Sequence, residues 1–61
     1  MSAQLVAILA AIFAAQARIA GMQAENQHRL ACGNSIAYGE DAFGHEAQHL
    51  EMLSVDARNA Q

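Results

Sequence analysis

The sequence places two histidines and a glutamate at the spacing of a zinc-binding helix. His45 and His49 are four residues apart and Glu46 follows the first of them, which is the H-E-x-x-H pattern. Residues four apart lie on one helix face, so both imidazoles can reach one zinc ion while the glutamate activates a water. A catalytic zinc needs a third protein ligand, and the candidates Glu51 and Asp56 follow within about two turns. The chain is also too short for a substrate cleft. We interpret the pattern as coincidental for a peptidase and predict no enzyme activity.

A second pattern, Glu-x-Gln-His, occurs twice in the chain. It runs from Glu25 to His28 and again from Glu46 to His49. Glu-x-x-His on facing helices is the ligand set of carboxylate-bridged di-iron bundles. These four residues are therefore candidate ligands for iron or zinc, as the alternative to a protein that uses no cofactor.

Hairpin geometry keeps the two Glu-x-Gln-His segments apart. If the chain turns near residues 33–34, Glu46 and His49 lie opposite Gly21 and Arg18. The segments then miss each other by about seven residues, or about 10 Å at the rise of an α-helix, and cannot form one site within a hairpin. Two alternatives remain, a metal site between chains and a smaller cluster at one level, formed by Glu25, His28 and Glu40.

The same charged residues can instead make ordinary structural contacts. Glu25 and Arg29 are four apart, which favours an ion pair on one helix, and Arg18 can meet Glu46 across a hairpin. The histidines can be solvated or can form hydrogen bonds at an interface. We favour this structural interpretation over metal binding.

Helices must position these side chains, because apolar residues recur at heptad spacing in both halves of the chain. Proline is absent, and nothing in the pattern indicates a strand. The sequence predicts an all-α fold: a two-helix antiparallel hairpin with helices over about residues 3–31 and 35–59, in one small domain of residues 1–61.

The turn between the helices is predicted at Cys32-Gly33-Asn34-Ser35. Gly33 can take the left-handed conformation that ends a helix. Asn34 or Ser35 can cap the helix that follows.

Each predicted helix carries one apolar seam, and we predict that the seams form the interface of a homo-oligomer or of a complex with partner helices. Fifteen of the 61 residues are alanine, so the larger apolar side chains are too few to stabilise a hairpin alone. A charged substitution at Ile12 or Phe43 should dissolve the assembly. The predicted interface residues are Leu5, Ile8, Ile12, Phe13, Ile19 and Met22 on the first seam and Ile36, Phe43, Leu50 and Leu53 on the second.

The charge distribution excludes one class of partner and favours another. The net charge of −3 argues against an autonomous nucleic-acid-binding protein. Residues 1–31 carry two arginines and one glutamate, a net charge of +1, whereas residues 32–61 carry five acidic residues and one arginine, a net charge of −4. Opposite charge favours packing of one half on the other or on a neighbouring chain.

The N-terminal apolar run bears on membrane contact and on the compartment. Leu5–Ala15 is unbroken but shorter than the roughly 20 residues of a spanning helix. Extension to Met22 reaches that length and takes in Arg18, so contact with a membrane through Leu5–Met22 is an alternative. The absence of a basic residue before Arg18 argues against a signal peptide. The single cysteine, Cys32, excludes a disulfide within the chain and fits a reducing compartment or a single disulfide between chains.

Two stretches resemble a known family in composition and rhythm. Ala14–Gln27 is a helix-forming stretch rich in Ala, Gln, Asn and Glu, and Ala37–Ala42 reads Ala-Tyr-Gly-Glu-Asp-Ala. Together with the alanine-rich apolar N-terminal segment, this composition resembles the N-terminal region of internal virion (ejection) proteins of short-tailed bacteriophages, over about residues 7–61. The resemblance implies a helical protein inside the capsid or at the portal that later associates with membrane. It assigns no functional residue.

These observations predict a small helical structural or interaction subunit of a larger assembly, with a virion as one setting. Two alternatives stay open. One is a metal-binding helical protein that uses the Glu-x-x-His residues, and the other is a membrane-associated accessory subunit with an N-terminal apolar helix.

Overall fold

The chain is an antiparallel pair of helices joined by a short connector. The computed structural model describes residues 1–60, and Gln61, the last residue of the predicted domain, lies outside them. Helix α1 spans Ala3–Ala31 and helix α2 spans Glu40–Asn59. The prediction of an all-α two-helix hairpin is confirmed, and the first helix has the predicted bounds.

Helix α1 has a side-chain cap at its start and a glycine turn at its end. The Ser2 Oγ accepts a hydrogen bond from the Leu5 N–H at 3.1 Å, which satisfies one of the free donors of the first turn. After Ala31 the chain turns through Gly33, whose φ is +80°. The Asn34 N–H then donates back to the carbonyl of Arg29 at 2.8 Å, as in a Schellman motif. The prediction that Gly33 ends the helix is confirmed.

The connector is anchored by Asn26, a residue of α1 that no sequence pattern singles out. The Asn26 Oδ1 accepts hydrogen bonds from the N–H groups of Ala37, at 3.0 Å, and of Tyr38, at 2.9 Å. The Asn26 Nδ2 donates to the carbonyl of Tyr38 at 2.8 Å. In an α-helix the Tyr38 carbonyl would accept from the N–H of Ala42, but here it accepts from Asn26 and the Ala42 N–H donates to the Gly39 carbonyl at 3.2 Å.

Helix α2 therefore begins later than predicted. Its first residue is Glu40 rather than residue 35, and Gly39 occupies the N-cap with no side-chain hydrogen bond. The prediction that Asn34 or Ser35 caps this helix is wrong. Ile36 precedes the helix and is 48% exposed, so it does not lie on the seam of α2.

Only a thin layer of side chains lies between the helices. Among residues 1–60, Ala15 is fully buried, and Leu53 and Glu46 are each 9% exposed. The Cα trace measures 49 × 18 × 8 Å, which is the shape of a slab one helix thick. Phe13, predicted on the first seam, points away from α2 and is 59% exposed. The predicted seam residues that are half-buried are Leu5, Ile8, Ile12, Ile19, Met22, Phe43 and Leu50.

Candidate functional site

Arg18 and Glu46 join the two helices near the middle of the hairpin. The Arg18 Nε donates to Glu46 Oε1 at 2.7 Å, and its Nη2 donates to Oε2 at 3.1 Å. This two-pronged geometry is the strong form of an arginine–carboxylate pair. The contact between these residues is as predicted. The register of the two helices differs from the predicted one by three residues, because Arg18 and not Gly21 lies opposite Glu46.

The pair changes the ionisation of both partners. The hydrogen bonds from Arg18 lower the pKa of the Glu46 carboxyl below its ordinary value, although burial acts in the opposite direction. The hydrogen bond to Glu46 raises the pKa of Arg18. Both groups are therefore charged at neutral pH, and Glu46 is occupied as an acceptor.

His49 extends this pair into a three-residue cluster. Its Nδ1 lies 3.3 Å from the Arg18 Nη2. A guanidinium only donates hydrogen bonds, so this contact forms when Nδ1 carries no proton. In that tautomer the Nε2 atom of a neutral ring is protonated and cannot bind a metal. The local chemistry of His49 thus favours a hydrogen-bonded role.

The structure does not bring the candidate metal ligands of one chain together. Glu25 pairs with Arg29, its Oε1 lying 3.0 Å from Nε, as predicted. The His28 Nε2 lies 3.9 Å from the Cys32 Sγ. Within residues 1–60, no group of three or more His, Cys, Asp or Glu side chains is placed to hold one ion. Glu25, His28 and Glu40 are therefore not gathered around one point in this structure. A metal site between chains stays a prediction.

The two histidines of the H-E-x-x-H pattern lie on the surface of α2. His45 and His49 line a shallow open groove together with Gln48 and Met52. Glu46, which would act as the base of a peptidase, points instead between the helices and binds Arg18. Glu46 is therefore engaged by Arg18 and does not line the groove that contains His45 and His49.

One broad side of the slab is apolar. A groove there is lined by residues from both helices, namely Met1, Leu5, Ile8, Leu9, Ile12 and Ala57. Steps of seven residues keep to one side of a helix, and they lead from Ile12 to Ile19 and from Ala57 back to Leu50 and Phe43. We call this surface the apolar face and define it as Leu5, Ile12, Ile19, Phe43, Leu50 and Ala57, all of which are half-buried.

The opposite side of the slab carries the polar cluster. Its groove is lined by Gln4, Ala7, Ile8, Ala11, Leu53, Asp56 and Asn59. Seven residues on from Ala11 is Arg18, and seven residues before Asp56 is His49, the two residues that contact each other. We call this side the polar face. The hairpin is thus amphipathic as a unit, although each helix is amphipathic only in part.

The outer edge of α1 extends the apolar surface. Val6, Leu9 and Phe13 are 52%, 40% and 59% exposed, and their spacing of three and four residues puts them on one side of the helix. α1 is therefore apolar on the side that faces α2 and also on the side that faces away from it. A helix with large apolar residues on both of these sides is normally covered by protein or by lipid on the outer side as well.

Asn26 is the structural residue that the sequence analysis missed. Its partners Ala37 and Tyr38 are eleven and twelve residues away, so no local pattern connects them. The sequence itself offers no more than an asparagine close to the predicted turn.

Comparisons of the chain with protein-family models, with curated proteins and with solved structures give no match.

Proposed function

We propose that this protein is a small helical interaction subunit that docks through its apolar face onto other helices of a larger assembly. The observation that carries this proposal is the apolar face itself, which is built from both helices and continues onto the exposed residues Val6, Leu9 and Phe13. A contiguous exposed apolar patch with a polar surround is typical of a protein or membrane contact.

The small core of the hairpin supports the proposal that the chain must dock onto a partner in order to fold stably. Ala15 and Leu53 are the only buried apolar residues among residues 1–60, and such a core is too small to stabilise a domain of this length. The broad side of the slab, 49 by 18 Å, can supply the roughly 800 Å² that each partner buries in a standard interface. A partner on the apolar face would complete the core.

The proposed setting is a multi-subunit particle, and the interior of a phage virion is one such setting. The support for it is the resemblance of residues 7–61 to internal virion proteins in composition and rhythm. An alanine-rich amphipathic hairpin suits dense helical packing, because small side chains let helices approach closely.

The mass of the isolated chain in detergent-free buffer tests this proposal. Light scattering after size exclusion should show a discrete oligomer for the wild type. Ile12→Glu should reduce the mass, because it introduces a charge into the apolar face. Leu9→Glu should do the same. Leu9 is 40% exposed in the hairpin and loses little packing there, so any loss of helix in this variant reports the loss of association.

The matched control is Gln48→Glu, which adds the same carboxylate at an exposed position of α2 on the side of His45 and Met52, away from the apolar face. It should leave the mass unchanged. A wild-type chain that is a cooperatively folded monomer would overturn the proposal, since its apolar face would then need no cover. Equal masses for the wild type and a helical Leu9→Glu variant would overturn it as well.

A membrane-associated accessory subunit is the second candidate function. α1 is long and apolar enough to cross a membrane, and little of its apolar window is buried. In the hairpin, however, Asp56 of α2 lies beside Gln4 and Ala11 of α1, so a span by α1 would either take that carboxylate into lipid or separate the helices. Both are costly. Flotation with neutral and anionic vesicles tests this alternative, which requires that the wild type floats and that Leu9→Glu does not.

A further inference from the structure

We propose that the occupant of the apolar face is the apolar face of a second copy of this chain, which makes a four-helix bundle. In this dimer the two-fold axis runs parallel to the helices. Each α1 then lies on α2 of the other copy, and both turns are at the same end of the bundle. The inference rests on the proposed function and names its partner.

The positions of the apolar residues along the helix axes support such a bundle. The Arg18–Glu46 pair sets the alignment of the helices. In that alignment the apolar face consists of three pairs of residues, each pair level to within about 3 Å, or two residues of helical rise. A second copy related by an axis parallel to the helices doubles each pair into a layer of four side chains, which is the core pattern of a four-helix bundle. The pairs are Leu5 with Ala57, Ile12 with Leu50, and Ile19 with Phe43.

The charges of the chain permit a second copy at this face and disfavour it elsewhere. The net charge is −3, so two copies repel each other at most approaches. The members of the apolar face are all uncharged. Arg18, His49 and Asp56 belong to the polar face, which points away from the partner in the dimer.

The charge difference between the helices selects one of two possible arrangements. Two slabs can stack with α1 on α1 and α2 on α2, with the turns at opposite ends, or with α1 on α2 twice. α2 carries five acidic residues and one arginine, a net charge of −4, whereas α1 carries two arginines and one glutamate, a net charge of +1. Stacking α2 on α2 would set two helices of net charge −4 side by side, and stacking α1 on α2 avoids this repulsion.

The single cysteine makes the arrangement measurable without a mutation. Cys32 is free and exposed, and it caps the end of α1 at the turn. A nitroxide label on Cys32 of the wild type reports the distance between the two turns by double electron–electron resonance. Dilution with unlabelled protein should reduce the dipolar signal, which shows that the distance is between chains.

Each outcome decides between the arrangements. We expect one distance of about 20 Å, or two helix diameters, because both turns lie at one end. A distance of about 40 Å or more, the length of α1 at the helical rise, with a dimer mass would overturn the arrangement and leave the proposed function standing. A folded monomer with no dipolar signal would overturn both. A discrete oligomer whose label distance is unchanged by Leu9→Glu would also overturn the inference, since its contact would lie outside this face.

Discussion

Glu46 is a charged residue at a position where the heptad pattern of α2 places apolar side chains. Phe43, Leu50 and Leu53 lie on the same side of the helix, and Glu46 is only 9% exposed. Its paired hydrogen bonds to Arg18 replace those that the carboxylate loses with water. Another alignment of the helices would leave this carboxylate covered and unpaired. We infer that the pair fixes the register of α1 against α2.

The Arg18–Glu46 pair should make stability depend on pH in one direction. The pKa of Glu46 is lower in the folded protein than its ordinary value of 4.5. The stabilisation is therefore present above the ordinary value and is lost as the pH falls through the lowered pKa. We expect Glu46→Gln to have a lower Tm than the wild type at neutral pH, and the gap to close in strong acid. Thermal melts followed by circular dichroism across this range measure it.

The control for this pH dependence is Glu51→Gln, which removes one carboxylate from the exposed side of the same helix. Its Tm should follow that of the wild type at every pH. A gap between Glu46→Gln and the wild type that stays constant with pH would show that the pairing of Glu46 does not carry the effect.

Asn26 should contribute to stability through the connector. Asn26→Ala removes three hydrogen bonds to the backbone of Ala37 and Tyr38. The released groups are exposed and regain water, so we expect the free energy of unfolding to fall by about 1 kcal/mol rather than by the sum of three bonds. Urea denaturation measures the change. Gln27→Ala, at the next exposed position, should have little effect, and equal losses for the two variants would contradict this role.

The contacts that could be predicted from the sequence are those with a short or regular spacing. Glu25 and Arg29 pair as predicted because residues four apart always meet on a helix. Arg18 pairs with Glu46 as predicted because opposite charges on facing helices attract each other in more than one alignment of the helices. The hydrogen bonds of Asn26 could not be predicted in this way, because they depend on the path of the connector after the helices have packed.

At the scale of the elements, the two helix starts differ in how much the sequence reveals. α1 begins at its predicted residue, next to the Ser2 cap, whose hydrogen bond is local. α2 begins at Glu40 because Asn26 holds the residues before it, so the local capping preference of Asn34 and Ser35 was overridden by a tertiary contact. The acidic residues Glu40 and Asp41 of its first turn favour this start electrostatically.

Two glycines should respond oppositely to the same substitution. Gly33 has a φ of +80°, a conformation that costs an L-residue about 1–2 kcal/mol, so Gly33→Ala should destabilise the hairpin by about that amount. Gly21 lies inside α1 with nothing within 4 Å of an added Cβ, so Gly21→Ala should stabilise it by up to about 1 kcal/mol. Urea denaturation compares the two variants, and changes of the same sign would contradict the assignment of Gly33 to the helix-ending turn.

At the scale of the whole molecule, the hairpin is a slab whose broad sides differ in chemistry. This asymmetry could be predicted only in part. The sequence indicates which residues form the apolar seams, but which of them contact the other helix and which face outward depends on the helix alignment. Ile12 and Leu50 belong both to the contact between the helices and to the outward face, since each is half-buried against the other helix and half-exposed. Folding and docking therefore use the same side chains.

This shared use should make the thermal stability depend on protein concentration. If the apolar face is covered only on association, mass action stabilises the folded form as the chain concentration rises. We expect the Tm of the wild type to increase over about a hundredfold range of concentration, and the Tm of Leu9→Glu to lie below it and to change less with concentration. Melts followed by circular dichroism in cells of different path length measure both. An invariant wild-type Tm would contradict the coupling of folding to association.

The connector has an optical consequence. Tyr38 is the only tyrosine of a chain that has no tryptophan, and its backbone is the part that Asn26 holds. Intrinsic fluorescence therefore reports the state of the connector, whereas the far-ultraviolet dichroism reports the helices. During heating, an emission change that precedes the loss of dichroism would mark release of the connector while the helices remain paired.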